Sequence, residues 1–173
     1  MATGDIKFVY GSEVAMTVTN LHSKASSATA GWTSASVDNR TNLFKDALVC
    51  VHIAAVNTAP ANSKAFFIFA YSATNNGTPD YTTTGATSGN VPGTEGALTF
   101  PDVTANPQLL PLLFAMPYVG QNIAHVSPVL SVASAFGGIL PPYWGIAILN
   151  HSGMTLAASG NTVNYTPVYE NVA

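Results

Sequence analysis

The stretch between Asp102 and Glu170 contains no aspartate, glutamate, lysine or arginine. An uncharged stretch of this length could contain a membrane-spanning segment. Prolines interrupt it, however, at Pro107, Pro111, Pro117, Pro128, Pro141 and Pro142. No window therefore holds the roughly 20 apolar residues that a spanning helix needs. A proline inside any helix also costs about 3 kcal/mol. The stretch predicts short strands and irregular segments.

Short β-prone runs recur along the whole chain and are separated by Gly, Pro and Asn. Residues 47–56 and 65–71 are apolar on both alternating faces, which predicts strands that are covered on both sides. Further strands are predicted at residues 6–10, 13–20, 98–103, 109–118, 129–133, 143–149, 154–158 and 163–169. Residues 150–153, Asn-His-Ser-Gly, are typical of a hairpin turn. Pro128 lies in the middle of the one helix candidate, residues 122–136, so we predict strand or irregular structure there.

Eight or more short strands at fairly even spacing predict an all-β protein, either a sandwich or a barrel. A length of 173 residues fits a single domain. Residues 1–31 are predicted to form an N-terminal arm or strand region, and residues 72–97 a long loop rich in Gly, Pro, Thr and Asn. A connection of that length favours a jelly roll or a related Greek-key β-sandwich over a simple meander.

Charged residues make up 8% of the chain, against about 25% in an ordinary soluble domain. A folded chain with so few charges either buries much of its surface in an assembly or relies on Ser, Thr and Asn for hydration. We favour the assembly. The net charge of −3, with five fixed cations, provides no phosphate-binding patch, so nucleic acid is not an expected partner. A membrane is not expected either.

No motif in the sequence carries a reaction. A nucleophile elbow of the form Gly-x-Ser-x-Gly is absent, and so is a glycine-rich phosphate loop ending in Lys-Ser or Lys-Thr. Asp38 and Asp46 flank Arg40 and Lys45, so local ion pairing explains these acids at least as well as catalysis does. We predict that the protein is not an enzyme and uses no cofactor.

Histidine and cysteine also suggest structural roles. The four histidines lack the close spacing of metal ligands on one strand or helix turn, although a site assembled across strands stays an alternative. We expect His52 to be a hydrogen-bonded core residue and His151 to be exposed in its predicted turn. Cys50, the single cysteine, lies between Val49 and Val51, which predicts a buried and unreactive side chain.

Two blocks of sequence carry a family resemblance. The first is residues 135–146, Ala-Phe-Gly-Gly-Ile-Leu-Pro-Pro-Tyr-Trp-Gly-Ile, followed by residues 150–153. The second is residues 32–39, Trp-Thr-Ser-Ala-Ser-Val-Asp-Asn, followed by residues 46–49. They resemble small β-sandwich (jelly-roll) structural proteins of tailed bacteriophage virions, of the capsid decoration or cement type. Physically, we expect Gly137-Gly138 and Pro141-Pro142 to form a rigid turn that places Tyr143 and Trp144 in the core.

The resemblance implies a virion structural protein that packs against the major capsid protein or neighbouring subunits and forms a homo-oligomer. The N-terminus lacks the basic start and apolar run of a signal peptide, so we expect assembly in the host cytoplasm. Because the outward positions of residues 103–169 carry no charge, their desolvation against a partner costs little. The candidate interface residues are Thr155, Thr162, Thr166 and Tyr81.

Two alternatives stay open. A close variant places the same fold in the tail or neck of the particle. A different class of protein is a carbohydrate-binding β-sandwich module, in which aromatic side chains on loops stack against sugar rings. Its stacking candidates are Tyr71, Tyr81 and Tyr118.

Overall fold

A computed structural model describes residues 6–59, 64–74, 80–105 and 108–172. Its strands are β1 (Ile6–Tyr10), β2 (Val14–Ala15), β3 (Ala30–Thr33), β4 (Val37–Asp38), β5 (Asp46–Ile53), β6 (Ala65–Ala73), β7 (Gly96–Thr99), β8 (Leu112–Pro117), β9 (His125–Val126), β10 (Leu130–Ser131), β11 (Tyr143–His151) and β12 (Thr162–Val172). Helical structure in these residues consists of α1 (Asn39–Asn42) and a 3₁₀ helix (Ala133–Phe136). The prediction of an all-β protein is confirmed.

The strands form two antiparallel sheets. Sheet A has the order β1-β12-β5-β10, with β2 also on β12 and β9 also on β5. Sheet B has the order β7-β3-β11-β6-β8, with β4 also on β11. The pairs β1·β12, β3·β11, β5·β10 and β6·β8 are nested in sequence, the earliest strand with the latest. A nested ribbon folded over into two sheets is the jelly-roll arrangement, as the sequence predicts.

The main core lies between the two sheets, where alternate residues of each strand point inward. Val49, Val51 and Ile53 of β5 face Trp144, Ile146 and Ile148 of β11 in this cluster, and all six are buried. Trp144 packs edge-on against Tyr165 of β12, with the ring centroids 5.1 Å apart. The expectation that Tyr143 and Trp144 lie in the interior is confirmed.

A second apolar cluster covers the outer face of sheet B. Val91, Phe100 and Leu110 come from the connection between β6 and β8, and they pack on outward residues of β6 and β11, among them Phe69, Tyr71, Ala147 and Leu149. We call residues 80–95, 100–105 and 108–110 the loop layer. Because of this layer every residue of β11 is buried. The predicted loop 72–97 thus lies largely within a packed part of the chain; its residues 75–79 are outside the described residues.

The strands predicted to be covered on both sides differ in outcome. Strand β6 is covered on both faces, as expected, because the loop layer lies over it. Strand β5 is not: Leu48, Cys50 and His52 are half-exposed, since nothing in the described chain comparable to the loop layer packs on their side. The alternation of apolar residues is the same in both strands. Only the tertiary contacts make one strand buried on both faces and the other buried on one face.

Two other strand predictions are wrong. Residues 154–158 form no strand, although Met154 and Leu156 are buried in the main core. Asn150 and Ser152 therefore do not make a hairpin turn; the chain leaves sheet B here and crosses to sheet A. The Asn150 amide holds this crossing by donating to the carbonyls of Lys24 and Met154, at 2.9 and 2.8 Å. Of the predicted strand 13–20, only Val14–Ala15 is a strand.

Of the predicted strands 98–103 and 129–133, only residues 98–99 and 130–131 are strand, and the other predicted strands coincide with observed ones over most of their length. Residues 122–136 contain β9, β10 and the 3₁₀ helix, with Pro128 between the two strands. In the predicted N-terminal region 1–31, β1 and β2 pair with β12, and β3 begins at Ala30. Residues 1–5 of that region lie outside the described residues.

Candidate interaction surfaces

The outer face of sheet A is the surface that the fold leaves open. Strand alternation and the register of β1, β12, β5, β9 and β10 place on it the side chains of Phe8, Tyr10, Leu48, Cys50, His52, Val126, Val129, Thr162, Asn164 and Thr166. All ten are half-exposed or exposed. We call this surface the open face. The opposite side of the sandwich, by contrast, is covered by the loop layer.

The ionised side chains that the same register places on the open face, Asp46 and Glu170, lie toward one end of it, opposite Val168 and Phe8. Glu13 accepts a hydrogen bond from the Asn164 amide at 2.9 Å. Lys45 pairs with Glu170 at 3.2 Å. The middle of the face, around Leu48, Cys50 and Thr166, has only apolar and neutral polar groups.

The aromatic residues of β1 border a depression on the open face. Phe8 and Tyr10 stand on one side, Leu48 and Val168 form part of its lining, and Ser134 lies on the far side; the volume is about 310 Å³. Phe8 and Tyr10 are 60% and 64% exposed, although both are aromatic. Lys45, Asp46 and Ser131 also line the depression, so it combines apolar and charged groups. Exposed aromatic residues at the rim of such a depression are typical of a protein contact.

A group of exposed aliphatic side chains extends the open face, beginning from its members Val126 and Val129. Val119, Ile123, Val126 and Val129 belong to the charge-free stretch and are between 46% and 67% exposed. Leu112 on the edge strand β8 is 51% exposed. Single exposed aliphatic residues are common on protein surfaces, but a cluster of them marks a contact site.

The predicted interface residues fall on different sides of the molecule. Thr162 and Thr166 lie on the open face, and Thr155 is exposed in the connection from β11 to β12. Tyr81 lies in the loop layer, half-buried, with its Oη 2.8 Å from Ser36 Oγ. The fold therefore brings Thr162 and Thr166 together and separates them from Tyr81.

The aromatic residues considered for sugar stacking are mostly inaccessible. Tyr71 is fully buried and donates from Oη to the Ser34 carbonyl at 2.8 Å, and burial raises the pKa of its phenol. Tyr118 is 8% exposed and donates to the Thr58 carbonyl at 2.8 Å. Neither ring presents a face to solvent on which a sugar would stack.

Two histidines depart from the sequence-based expectation. His52 is half-exposed on the open face rather than in the core, with Nδ1 3.0 Å from the Gly160 carbonyl. His151 is buried rather than exposed, because β11 continues through it. The Lys64 ammonium lies 2.9 Å from His151 Nε2, where it donates to the neutral ring. Burial and this neighbouring cation lower the pKa of His151.

His125 is a buried residue that the sequence reasoning did not single out. It stacks on Tyr118, with the ring centroids 4.7 Å apart, and its Nε2 accepts from the Val119 amide at 3.2 Å. Desolvation lowers the pKa of its imidazole. Its position in a two-residue strand after a Pro/Gly-containing loop gives no local signal of burial.

The acids have structural roles. Asp38 pairs with Arg40 at 2.7 Å, as expected, whereas Lys45 pairs with Glu170 rather than with Asp46. Asp46 instead accepts from Ser131 Oγ and from the Ala133 amide, at 2.6 and 2.8 Å, and so attaches β5 to the start of the 3₁₀ helix.

Glu95 anchors one end of the loop layer. It accepts from the buried Trp32 indole at 2.7 Å and from both the backbone and the side-chain amide of Asn20. Desolvation opposes ionisation, but these hydrogen bonds outweigh it and hold the pKa of Glu95 below its ordinary value. An ionised carboxylate that accepts from three protein donors serves to hold chain segments together.

The described residues contain no group of three His, Cys, Asp or Glu side chains placed to hold a metal ion. They also contain no helix with the length and apolar character to cross a membrane. Cys50, expected to be buried, is half-exposed on the open face, with Sγ 3.7 Å from the Ser127 carbonyl.

Comparison of the chain with family models, curated proteins and solved structures found no match.

Proposed function

We propose that this chain is a virion structural protein, a capsid decoration or cement subunit that stabilises the particle through protein–protein packing. The observation that carries the proposal is the difference between the two outer faces of the sandwich. Sheet B is covered by the loop layer of the same chain, whereas sheet A is left open. An open sheet face with few charges is best suited to packing against another protein.

The side chains of the open face favour such packing energetically. Each 100 Å² of apolar surface removed from water contributes about 2.5 kcal/mol before the costs of association. A typical specific interface buries about 1,600 Å² in total, or about 800 Å² on each partner, and the open face with the adjoining aliphatic residues is the surface offered for such a contact. Because Leu48, Thr162 and Thr166 carry no charge, little desolvation penalty opposes the contact.

The fold agrees with this function but does not select it, since jelly rolls occur in capsid proteins, lectins and enzymes alike. The resemblance of residues 135–146 and 32–39 to phage virion proteins is the reason for proposing that the partner belongs to a virus particle. A position in the tail or neck uses the same surface. The glycan-binding alternative is weaker, because Tyr71 and Tyr118 are buried and only Tyr81 is half-exposed.

The first experiment is mass spectrometry of purified virions from the system that encodes this chain, where we expect it at a stoichiometric level. The second adds purified chain to particles that lack it and measures binding and the temperature at which the particles come apart. We expect Thr162→Lys and Thr166→Lys to fold normally, to bind the particles poorly and to give little thermal protection. Thr155→Lys reports whether the contact reaches the end of the sandwich.

The matched control is Thr94→Lys, an exposed threonine in the loop layer on the opposite side. It adds the same charge and should bind as the parent does. Absence of the chain from purified virions would contradict the proposal. So would normal particle binding by folded Thr162→Lys and Thr166→Lys variants.

A further inference from the structure

Strand β1 is an apolar edge strand that nothing in the described chain covers. Ile6, Phe8, Val9 and Tyr10 are between 43% and 66% exposed. One edge of β1 pairs with β12, and no described strand pairs with the other edge. Proteins usually protect such edges with prolines, bulges or several charges, but β1 contains only Lys7. An unprotected edge of this kind is a template for another strand.

The register with β12 fixes which backbone groups of β1 point outward. The Gly11 amide donates to the Pro167 carbonyl at 2.9 Å, so the backbone groups of Gly11 point toward β12. Backbone groups of an antiparallel strand alternate in direction. The N–H and C=O groups of Ile6, Phe8 and Tyr10 are therefore directed to the free edge.

We infer that a second copy of this chain occupies that edge, with the two β1 strands antiparallel about a two-fold axis at Phe8. Phe8 then lies opposite Phe8 of the second copy, and Ile6 lies opposite Tyr10 in both directions. All outward backbone groups of both strands find partners in this register. The two copies of sheet A become one continuous sheet, and their open faces join.

Other registers satisfy fewer groups. An axis at Lys7 places the two lysines directly opposite each other, which is unfavourable, and sets Tyr10 opposite residue 4, outside the described residues. An axis at Val9 leaves Ile6 unpaired. With the axis at Phe8, Lys7 lies opposite Val9 of the second copy, so no like charges are directly opposed.

A second copy in two-fold symmetry also fits better than a head-to-tail contact. The opposite edge of sheet A consists of β10 and β9, each two residues long, so β1 has no comparable partner there. Head-to-tail pairing would also propagate into an open fibre, whereas self-pairing of β1 consumes both free edges and closes. The inference goes beyond the proposed function, because it concerns the chain alone.

Sedimentation velocity of the purified full chain over a range of concentrations is the first test, and we expect a monomer–dimer equilibrium. Phe8→Pro should weaken the dimer at least about tenfold, since each copy loses its Phe8 N–H and both hydrogen bonds across the axis are removed. It leaves the β1–β12 bonds intact, because the Phe8 N–H does not face β12. Phe8→Val, which keeps the N–H, is the matched control and should still dimerise.

Cysteine cross-linking tests the register directly. In a Cys50→Ser background, Phe8→Cys places two thiols opposite each other, at a Cα separation of about 5.5 Å that a disulfide spans. Tyr10→Cys is the control, since its two copies lie roughly 14 Å apart, four residues along the strand. We expect oxidation to cross-link the first variant and not the second.

A chain that stays monomeric at every accessible concentration would overturn the inference. The same holds for a dimer that Phe8→Pro leaves unchanged, or for equal cross-linking through Phe8→Cys and Tyr10→Cys. A monomer whose β1 amides become protected only on particles would mean that a different chain occupies the edge, which also overturns it. A dimer in solution that is absent from virions would instead contradict the proposed function and leave this inference standing.

Discussion

At the scale of single residues, one strong steric constraint is the glycine that lies under a tyrosine ring in sheet B. Gly145 of β11 is the cross-strand partner of Tyr71 of β6. The Tyr71 ring lies over Gly145 in the space that a Cβ atom would need. The ring is also held by its hydrogen bond to the Ser34 carbonyl. Glycine is required here because of this contact rather than because of its backbone freedom.

Gly145→Ala should lower the free energy of unfolding by about 1–3 kcal/mol, because the added methyl group displaces a buried ring with a fixed hydroxyl. The control is Gly96→Ala in β7, where a Cβ would meet no atom within 4 Å. That variant should change stability by no more than about 0.5 kcal/mol. Urea denaturation measures both. Equal stability of the two variants would mean that the Tyr71 ring is not held in place.

We expect two buried histidines to make the protein less stable in mild acid. His125 and His151 both have a pKa lowered by desolvation, and Lys64 lowers that of His151 further. Between the lowered folded value and the unfolded value near 6.5, the unfolded chain binds more protons than the folded chain. Their contribution to stability is therefore complete above about pH 6.5 and falls as the pH drops below it.

We expect the melting temperature to be lower at pH 5 than at pH 7.5. His125→Gln, which keeps an acceptor for the Val119 amide but does not titrate, should reduce this difference. At pH 5 the carboxylates with lowered pKa values, such as that of Glu95, are still ionised, so they do not account for the loss. Scanning fluorimetry at the two pH values measures the effect, and a variant with the full pH dependence of the parent would contradict it.

At the scale of elements, the loop layer decides which strands are interior. Its side chains Phe100, Leu110 and Val91 are buried against β6 and β11. The Phe100 ring lies 5.3 Å from that of Phe69, centroid to centroid. A polar, glycine-rich connection thereby becomes a third layer of the fold, attached at one end through Glu95 and Trp32. The layer is as much a part of the folded unit as the sheets are.

Phe100→Ala should lower the free energy of unfolding by about 3–5 kcal/mol, the usual cost of removing a buried phenylalanine ring. Leu109→Ala, in the same layer but 69% exposed, should cost no more than about 0.5 kcal/mol. Chemical denaturation compares the two. If Phe100→Ala costs less than about 1 kcal/mol, the layer does not share the cooperative unit of the sandwich.

At the scale of the whole molecule, the sandwich has one covered side and one open side. Cys50 is a native probe of the open side, since its thiol is half-exposed near the centre of sheet A. Its neighbours there are Asn164 across the strand pair and the Ser127 carbonyl. Accessibility of this thiol therefore reports whether another protein covers the open face.

We expect Cys50 to react with a thiol reagent in the native chain, more slowly than in denaturant, and to become protected once the chain is bound to particles. The control is a Cys50→Ser chain that carries Thr94→Cys in the loop layer, which should stay reactive on particles. Labelling is followed by mass spectrometry. Undiminished Cys50 reactivity on particles would contradict packing through the open face.

The sequence by itself determined the class of the fold. Period-two alternation and the Gly and Pro breaks are local properties, so they located β1, β5, β6, β11 and β12 and, with the long connection 72–97, predicted a jelly roll or a related Greek-key sandwich. They also predicted correctly that Tyr143 and Trp144 lie in the interior. The same pattern gave a wrong strand at Met154 and Leu156, because these residues are buried without belonging to a sheet.

Only the tertiary structure decided what covers each apolar surface. β5 and β6 have the same two-sided apolar pattern, yet the loop layer covers β6 and leaves Cys50 and His52 half-exposed on β5. The sequence also could not predict that His151 is buried or that Tyr81 lies on the side opposite the open face. The physical reason is that alternation records the preference of a side chain for an apolar neighbour. Whether that neighbour comes from a distant part of the same chain or from another molecule depends on contacts that local sequence does not encode.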